Sequence, residues 1–388
     1  MLPIILDHGV ASDVKNVIVG TDPPFRYNQG REVRLRFPAD DLTSKFLRSL
    51  DPMDPEIVAE LTQSVCVSEE YFDTALRDNE ESAWVTLVLS QLTQMRTLHL
   101  RISVQWPDMP LLSLFSIHGG ASSFPALREV TITQTVGSCP AIPGTETMSI
   151  FWELPSLRTF NYMGPLGSRS ILRPGWLPTQ SLIENITLSD QTDLDTVKVA
   201  MESILPSFKA LRSFDLLLTP EHQVLQTGDM VTRFSLREDI FSSMGMALQS
   251  QQHSLERLSV CCDEDERICD LETFLKPIGS LRGFLNLHEI SINTYVLVGY
   301  NISESPELSD TLPISLQSLQ ITHCTDGVQE QLAELAKICP YKFPNLKRVI
   351  ILEYYGDDGL REAFLKVGVE FTGLRLKVMG CITPALNQ

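Results

Sequence analysis

The sequence contains no run of about 18 uncharged apolar residues, which a bilayer-spanning helix would need. Its opening, Met1-Leu-Pro-Ile-Ile-Leu-Asp7, has neither the basic flank nor the length of a secretory signal, so the expected location is cytoplasmic or nuclear. The eight cysteines include no C-x-x-C pair and no regular framework. In a reducing compartment such thiols are expected to pack as small hydrophobes. Basic residues are in deficit, 31 Lys and Arg against 49 Asp and Glu, for a net charge of −18. The deficit is even along the chain, with 14 basic against 23 acidic residues in 1–194 and 17 against 26 in 195–388, so it is no detachable tail. A field of that sign repels phosphate backbones and anionic headgroups, and neither nucleic acid nor membrane is an expected partner.

Catalytic signatures are also missing. There is no G-x-x-x-x-G-K-S/T loop, no G-x-G-x-x-G after a strand and no G-x-S-x-G elbow. The seven histidines show no H-x-x-x-H spacing. His118-Gly119-Gly120 resembles an oxyanion loop but has no nucleophile elbow to serve, and reads as a strand exit. Cys261 and Cys262 with Cys269 lack a fourth ligand, and the acidic run 263–266 lacks the spacing and central glycine of a calcium loop. His323-Cys324 is the nearest thing to a metal pair, with Cys324 read as an inward packing residue. The sequence predicts no enzyme, no cofactor and no metal.

What is present is a repeat: apolar, two residues, apolar, one residue, apolar. It runs from Met95-x-x-Leu98-x-Leu100 and Leu127-x-x-Val130-x-Ile132 through copies opening at Leu157, Ile183, Leu211, Leu255, Leu287, Leu316 and Leu346 to Phe371-x-x-Leu374-x-Leu376. First positions are separated by 32, 30, 26, 28, 44, 32, 29, 30 and 25 residues, close enough to one period to exclude chance. Val14-x-x-Val17-x-Val19 is either a stray copy or the start of the coil. Phe124-Pro125, Leu154-Pro155 and Phe343-Pro344 precede the first position by a constant interval, and Phe208 and Phe284 hold the same aromatic place. A proline there fixes φ and bends the chain into the coming strand. The residue after the first position is basic in Arg96, Arg128, Arg158, Arg212 and Lys347.

The period of two at the end of the motif is that of a strand with one buried face. Helices are expected in the returns over 193–204, 236–248, 327–339 and 359–367. Each unit buries four or five apolar side chains, at ~1.5–3 kcal/mol apiece. Ordering about 30 residues costs more, at roughly 1–2 kcal/mol each, so units must stack. The expected fold is an α/β leucine-rich-repeat solenoid, a curved horseshoe with parallel strands on the concave face and helices and loops on the convex face. About ten repeats are expected over 91–388, with 1–90 as an N-terminal cap or partial repeats. Within that cap, 33–37 alternates like a strand and 71–92 reads as a helix with an acidic first half. The 44-residue interval after Leu211 is an insertion over 217–252 that either shapes binding or is tolerated drift, and 301–311 reads as a surface loop.

Leu-Pro-Ser-Leu-Arg-Thr-Phe (154–160), Leu-Pro-Ile-Ser-Leu-Gln-Ser-Leu-Gln-Ile (312–321) and Phe-Pro-Asn-Leu-Lys-Arg-Val (343–349) are phrases of a known kind. Over roughly 70–378 the chain resembles the fungal F-box/leucine-rich-repeat proteins. That resemblance implies recognition of a protein target for a cullin-type ubiquitin ligase, whose adaptor binds an F-box. Breaks at Asp22-Pro23-Pro24 and Asp51-Pro52 stand where an F-box would have closely spaced helices, so no F-box is read in this chain: either one lies outside it, where it would bind the adaptor, or the partner is not the ligase adaptor. The alternative is a structural or assembly repeat protein with no ubiquitin role.

The expected partner-binding positions lie between and just after the last two apolar residues of each motif, on the concave face. They are His99, Arg101, Thr131, Asn161, Asp215, Ser259, Ser291, Gln320, Ile350, Leu352, Tyr354 and Arg375. Thr133, Met163, Thr187, Ser189, Leu217, Cys261, Asn293, Thr322 and Lys377 fall in the same row. It reads as a hydrogen-bonding groove with an apolar spot at Ile350 and Leu352, although Thr and Ser are also simply good exposed strand residues.

Overall fold

The structure is a computed structural model. It describes residues 14–19, 32–35, 94–103, 124–135, 151–164, 181–190, 204–218, 222–224, 230–232, 239–262, 276–299, 306–322, 326–352 and 358–374, with positions 89, 92, 198, 201, 202, 324 and 354. Two compact units divide the chain: residues 1–165 with 173–183, and residues 166–172 with 184–388.

In the first unit the strands are β1 (Asn16–Val19), β2 (Glu32–Leu35), β3 (Thr97–Ser103), β4 (Glu129–Thr135) and β5 (Thr159–Met163). All pair in parallel, in the spatial order β2-β1-β3-β4-β5. Val17 stands opposite Leu98, which stands opposite Val130, which stands opposite Phe160, so equivalent motif positions are in register. The copy at Val14 is therefore a rung of this ladder, and the strand expected over 33–37 joins it outside β1 as β2.

The second unit holds β6 (Asn185–Asp190), β7 (Ser213–Leu218), β8 (His222–Val224), β9 (Met230–Thr232), β10 (Arg257–Cys262), β11 (Glu289–Asn293), β12 (Ser318–Thr322), β13 (Arg348–Leu352) and β14 (Glu370–Leu374). The order β6-β7-β10-β11-β12-β13-β14 is again all parallel. The short antiparallel pair β8–β9 belongs to the insertion. Helices α1 (Ile240–Leu248), α2 (Thr294–Val298), α3 (Leu308–Thr311), α4 (Asp326–Lys342) and α5 (Asp358–Lys366) fill the returns. α1, α4 and α5 fall where helical periodicity placed them, and residues 198, 201, 202 and 204 are helical within the segment expected at 193–204.

Two backbone devices recur at several strand entrances. A turn closes from the N–H of the first motif residue to the carbonyl three residues before, as in Leu127 to Phe124 (3.2 Å), Leu157 to Leu154 (3.2 Å) and Leu346 to Phe343 (3.0 Å). Pro125, Pro155 and Pro344 occupy the second residue of these turns, where their fixed φ is already correct. Then the carbonyl of the next residue accepts two N–H groups from the following rung: Arg96 from Arg128 and Glu129, Arg212 from Glu256 and Arg257, Gln317 from Lys347 and Arg348. The apolar triplets beneath are sealed; Leu98, Val130, Phe160, Ile186, Phe214, Leu258, Ile290, Leu319 and Val349 are all 2% exposed or less. α1 packs so closely that a Cβ on Gly245 would overlap the Ile278 carbonyl, which accounts for a glycine inside that helix.

The last rung departs from the expected register. The motif puts Phe371 at its first apolar position, but Phe371 pairs with Val349 and so fills the second, with Gly373 at the third. The missing side chain is supplied from the previous rung. Tyr354 lies over Gly373, where an added Cβ would come within 2.7 Å of its ring, and meets Phe371 edge-on at 5.6 Å. Phe371 in turn stacks on Phe364 of α5 at 5.7 Å. The reading of 301–311 as a surface loop is also revised at its end, since Leu308, Ser309 and Thr311 of α3 are buried. Lys342 of α4 reaches across to Ser309 Oγ (3.1 Å) and Asp310 (2.9 Å).

Candidate partner-binding face

Alternation along each strand turns one side chain in two away from the apolar core, and parallel pairing aligns those residues across rungs. In the first unit, His99, Thr131 and Asn161 lie side by side and half-buried. His99 Nε2 and Thr133 Oγ1 are 3.1 Å apart, and Asn161 Nδ2 donates to Thr131 Oγ1 at 3.1 Å. Arg101 holds the register position opposite Thr133; its side chain lies outside the described residues.

In the second unit Asp215, Ser259, Ser291, Gln320 and Ile350 form one line across five strands. Asp215 accepts a hydrogen bond from Ser259, whose hydroxyl is 3.9 Å from Cys261 Sγ, and that sulfur is 4.0 Å from Ser291 Oγ. Burial pushes the Asp215 carboxyl up from its ordinary value, with Ser259 and the Arg257 charge opposing in part. Burial likewise pushes up the Cys261 thiol, leaving it protonated and a poor nucleophile at neutral pH.

The raised Asp215 value carries a sign. A carboxyl whose folded value exceeds its unfolded one subtracts stability at pH above the folded value, and the deficit disappears as pH falls through the folded towards the unfolded value. Asp215→Asn should therefore raise the urea midpoint near neutral pH and leave it unchanged in acid. An equal midpoint shift at both pH values would show that the side chain acts through packing.

Beyond Gln320 the face becomes apolar. Ile350 and Leu352 are half-buried, and Leu374, opposite Leu352, is 37% exposed. The motif places Leu374 inside; the register of β14 turns it outward, with Thr372 beside Ile350. The shifted register removes the ground for placing Arg375 and Lys377 in the row, and both lie outside the described residues. Tyr354 is corrected from the face to the core, at 7% exposure, because it replaces the absent side chain at Gly373. Asn293 is corrected likewise. It is fully buried because the chain turns at once into α2, and its Nδ2 donates to Tyr295 Oη at 3.2 Å.

His118, Cys269 and the acidic run 263–266 lie outside the described residues, while Cys324 is buried. Among the described residues no group of three or more His, Cys, Asp or Glu side chains is placed to hold a metal ion. Among the same residues no helix is long and apolar enough to cross a membrane.

A family model described as a leucine-rich repeat domain matches residues 146–384, more than half of the chain, from just before β5 to beyond β14. No curated protein matches the chain significantly.

Proposed function

Because this chain belongs to the leucine-rich repeat family, whose domains generally mediate protein–protein interaction and are in general non-enzymatic scaffolds, we propose that its outward strand face captures a partner protein. The observation that carries this reading is the apolar spot of Ile350, Leu352 and Leu374 at the end of a polar line. Apolar side chains left outward in a cluster favour an interface, and the polar residues from Asp215 to Ser291 would orient what docks there. In this reading residues 1–90 act as a cap, contributing β1 and β2 as partial repeats, and the repeats over 91–388 act in the cytoplasm or nucleus.

Ile350→Asp with Leu352→Asp should abolish partner crosslinking in native lysate while leaving the thermal midpoint within a few degrees. The same crosslinked proteins in wild type and double variant would refute the assignment. A narrower reading, target selection for a cullin-type ubiquitin ligase, rests on the repeat phrases at 154–160, 312–321 and 343–349. Co-purification of the full-length protein with the ligase adaptor would support it. Its absence would favour a structural or assembly role.

A further inference from the structure

The residues that follow each motif's first position form a second line along the ladder, at the strand entrances. Because the carbonyls of Lys15, Arg96, Arg128, Glu184 and Arg212 each receive two N–H groups from the next rung, successive members are held at strand spacing, about 4.8 Å. In the second unit this line begins Glu184, Arg212, Glu256 and neutralises itself: Arg212 lies 3.4 Å from Glu184 and 3.5 Å from Glu256. In the first unit it reads Lys15, Arg96, Arg128, Arg158, four cations in succession. Lys15, Arg96 and Arg128 are exposed, and among the described residues no carboxylate pairs with them. Arg158 folds its guanidinium back onto the carbonyls of Pro155 (2.9 Å) and Leu157 (2.8 Å). Glu129, the nearest acid in sequence, is half-buried and engaged by Asn161 Nδ2 at 3.5 Å.

Like charges on neighbouring strands repel, so a line of cations weakens the bare ladder and is relieved when anions lie along it. We propose that the Lys15–Arg96–Arg128 stripe docks an acidic peptide segment of a partner protein, laid across the strand entrances of the first unit. Guanidinium forks suit carboxylates, and the rigid rungs hold them in a row. A long polyanion is disfavoured because the net charge of −18 repels it over its whole length, whereas a short acidic segment meets mainly the stripe. This surface is separate from the apolar spot of the second unit and does not depend on it.

The test uses the full chain and a fluorescent oligoglutamate peptide, read by anisotropy at low salt. Arg96→Glu with Arg128→Glu should weaken binding at least about tenfold, and Arg96→Gln with Arg128→Gln by less. Lys209→Glu with Lys366→Glu, exposed residues of the second unit, make the same change in net charge and should leave binding within about twofold. Circular dichroism keeps unfolded variants from being scored. No binding by the wild type, equal loss in both charge-reversed variants, or tighter stripe-dependent binding of oligothymidylate would each overturn the proposal.

Discussion

Gln251→Met should destabilise the second unit by about 3 kcal/mol in urea denaturation, although methionine has nearly the shape of glutamine and suits a buried site. Gln251 is only 2% exposed and sits at the end of the insertion, in the short helical turn after α1. Its Nε2 donates to the carbonyls of Leu205 and Phe208, both at 2.9 Å, and its Oε1 accepts from the Leu211 N–H at 3.1 Å. Ser254 Oγ also donates to Oε1, at 3.1 Å. One amide thus pins the insertion onto the turn that feeds β7. Methionine keeps the volume, loses the bonds to both carbonyls and leaves the Leu211 N–H, a buried donor whose loss of partner costs about 1–3 kcal/mol, without its acceptor. Ser254→Ala removes only the outermost bond and should cost less than about 1 kcal/mol. If Gln251→Met lost no more than Ser254→Ala, the amide would be packing rather than pinning.

Phe160→Ala should cost the first unit about 3–5 kcal/mol, while Phe160→Leu should cost far less. Phe160 is fully buried at the second motif position of β5. Its ring meets Phe151 at 6.1 Å and Trp152, edge-on, at 6.0 Å. Alanine would open a cavity walled by two rings and by the neighbouring rung, where Val130 stands in register. Little can relax into that space, because Trp152 is itself held: its carbonyl accepts from Ser181 Oγ at 2.9 Å. Trp152 fluorescence reports the transition directly. A loss below about 1.5 kcal/mol for alanine would mean that the rung collapses freely, against the close packing of this core.

Gln251 and Phe160 mark opposite ends of what can be read from a linear chain. Phe160 stands fourth in Leu-Arg-Thr-Phe-Asn-Tyr, inside a template repeated elsewhere, and its burial follows from the period. Gln251 stands in Gln-Ser-Gln-Gln-His, a polar run that nothing local distinguishes from solvent-exposed surface. Its role comes from Leu205, Phe208 and Leu211, some 40 residues earlier. The outward row was legible for the same reason as the core, since alternation that buries Leu258 and Val260 must turn out Ser259. It failed where a side chain was borrowed from another rung: the template assumed that each motif supplies its own apolar triplet, and at Gly373 Tyr354 supplies it instead.

The amino-acid order alone determined that this chain is a ladder of parallel rungs with one sealed face, because period-two alternation repeated about every 30 residues can bury its apolar members only by stacking. The packed structure alone decided which side chains cross between rungs. Tyr354 goes inward, Leu374 outward, and Gln251 bridges a 40-residue separation. Such choices turn on volume left by neighbours and on buried polar groups needing partners, and both come into being only when distant segments meet.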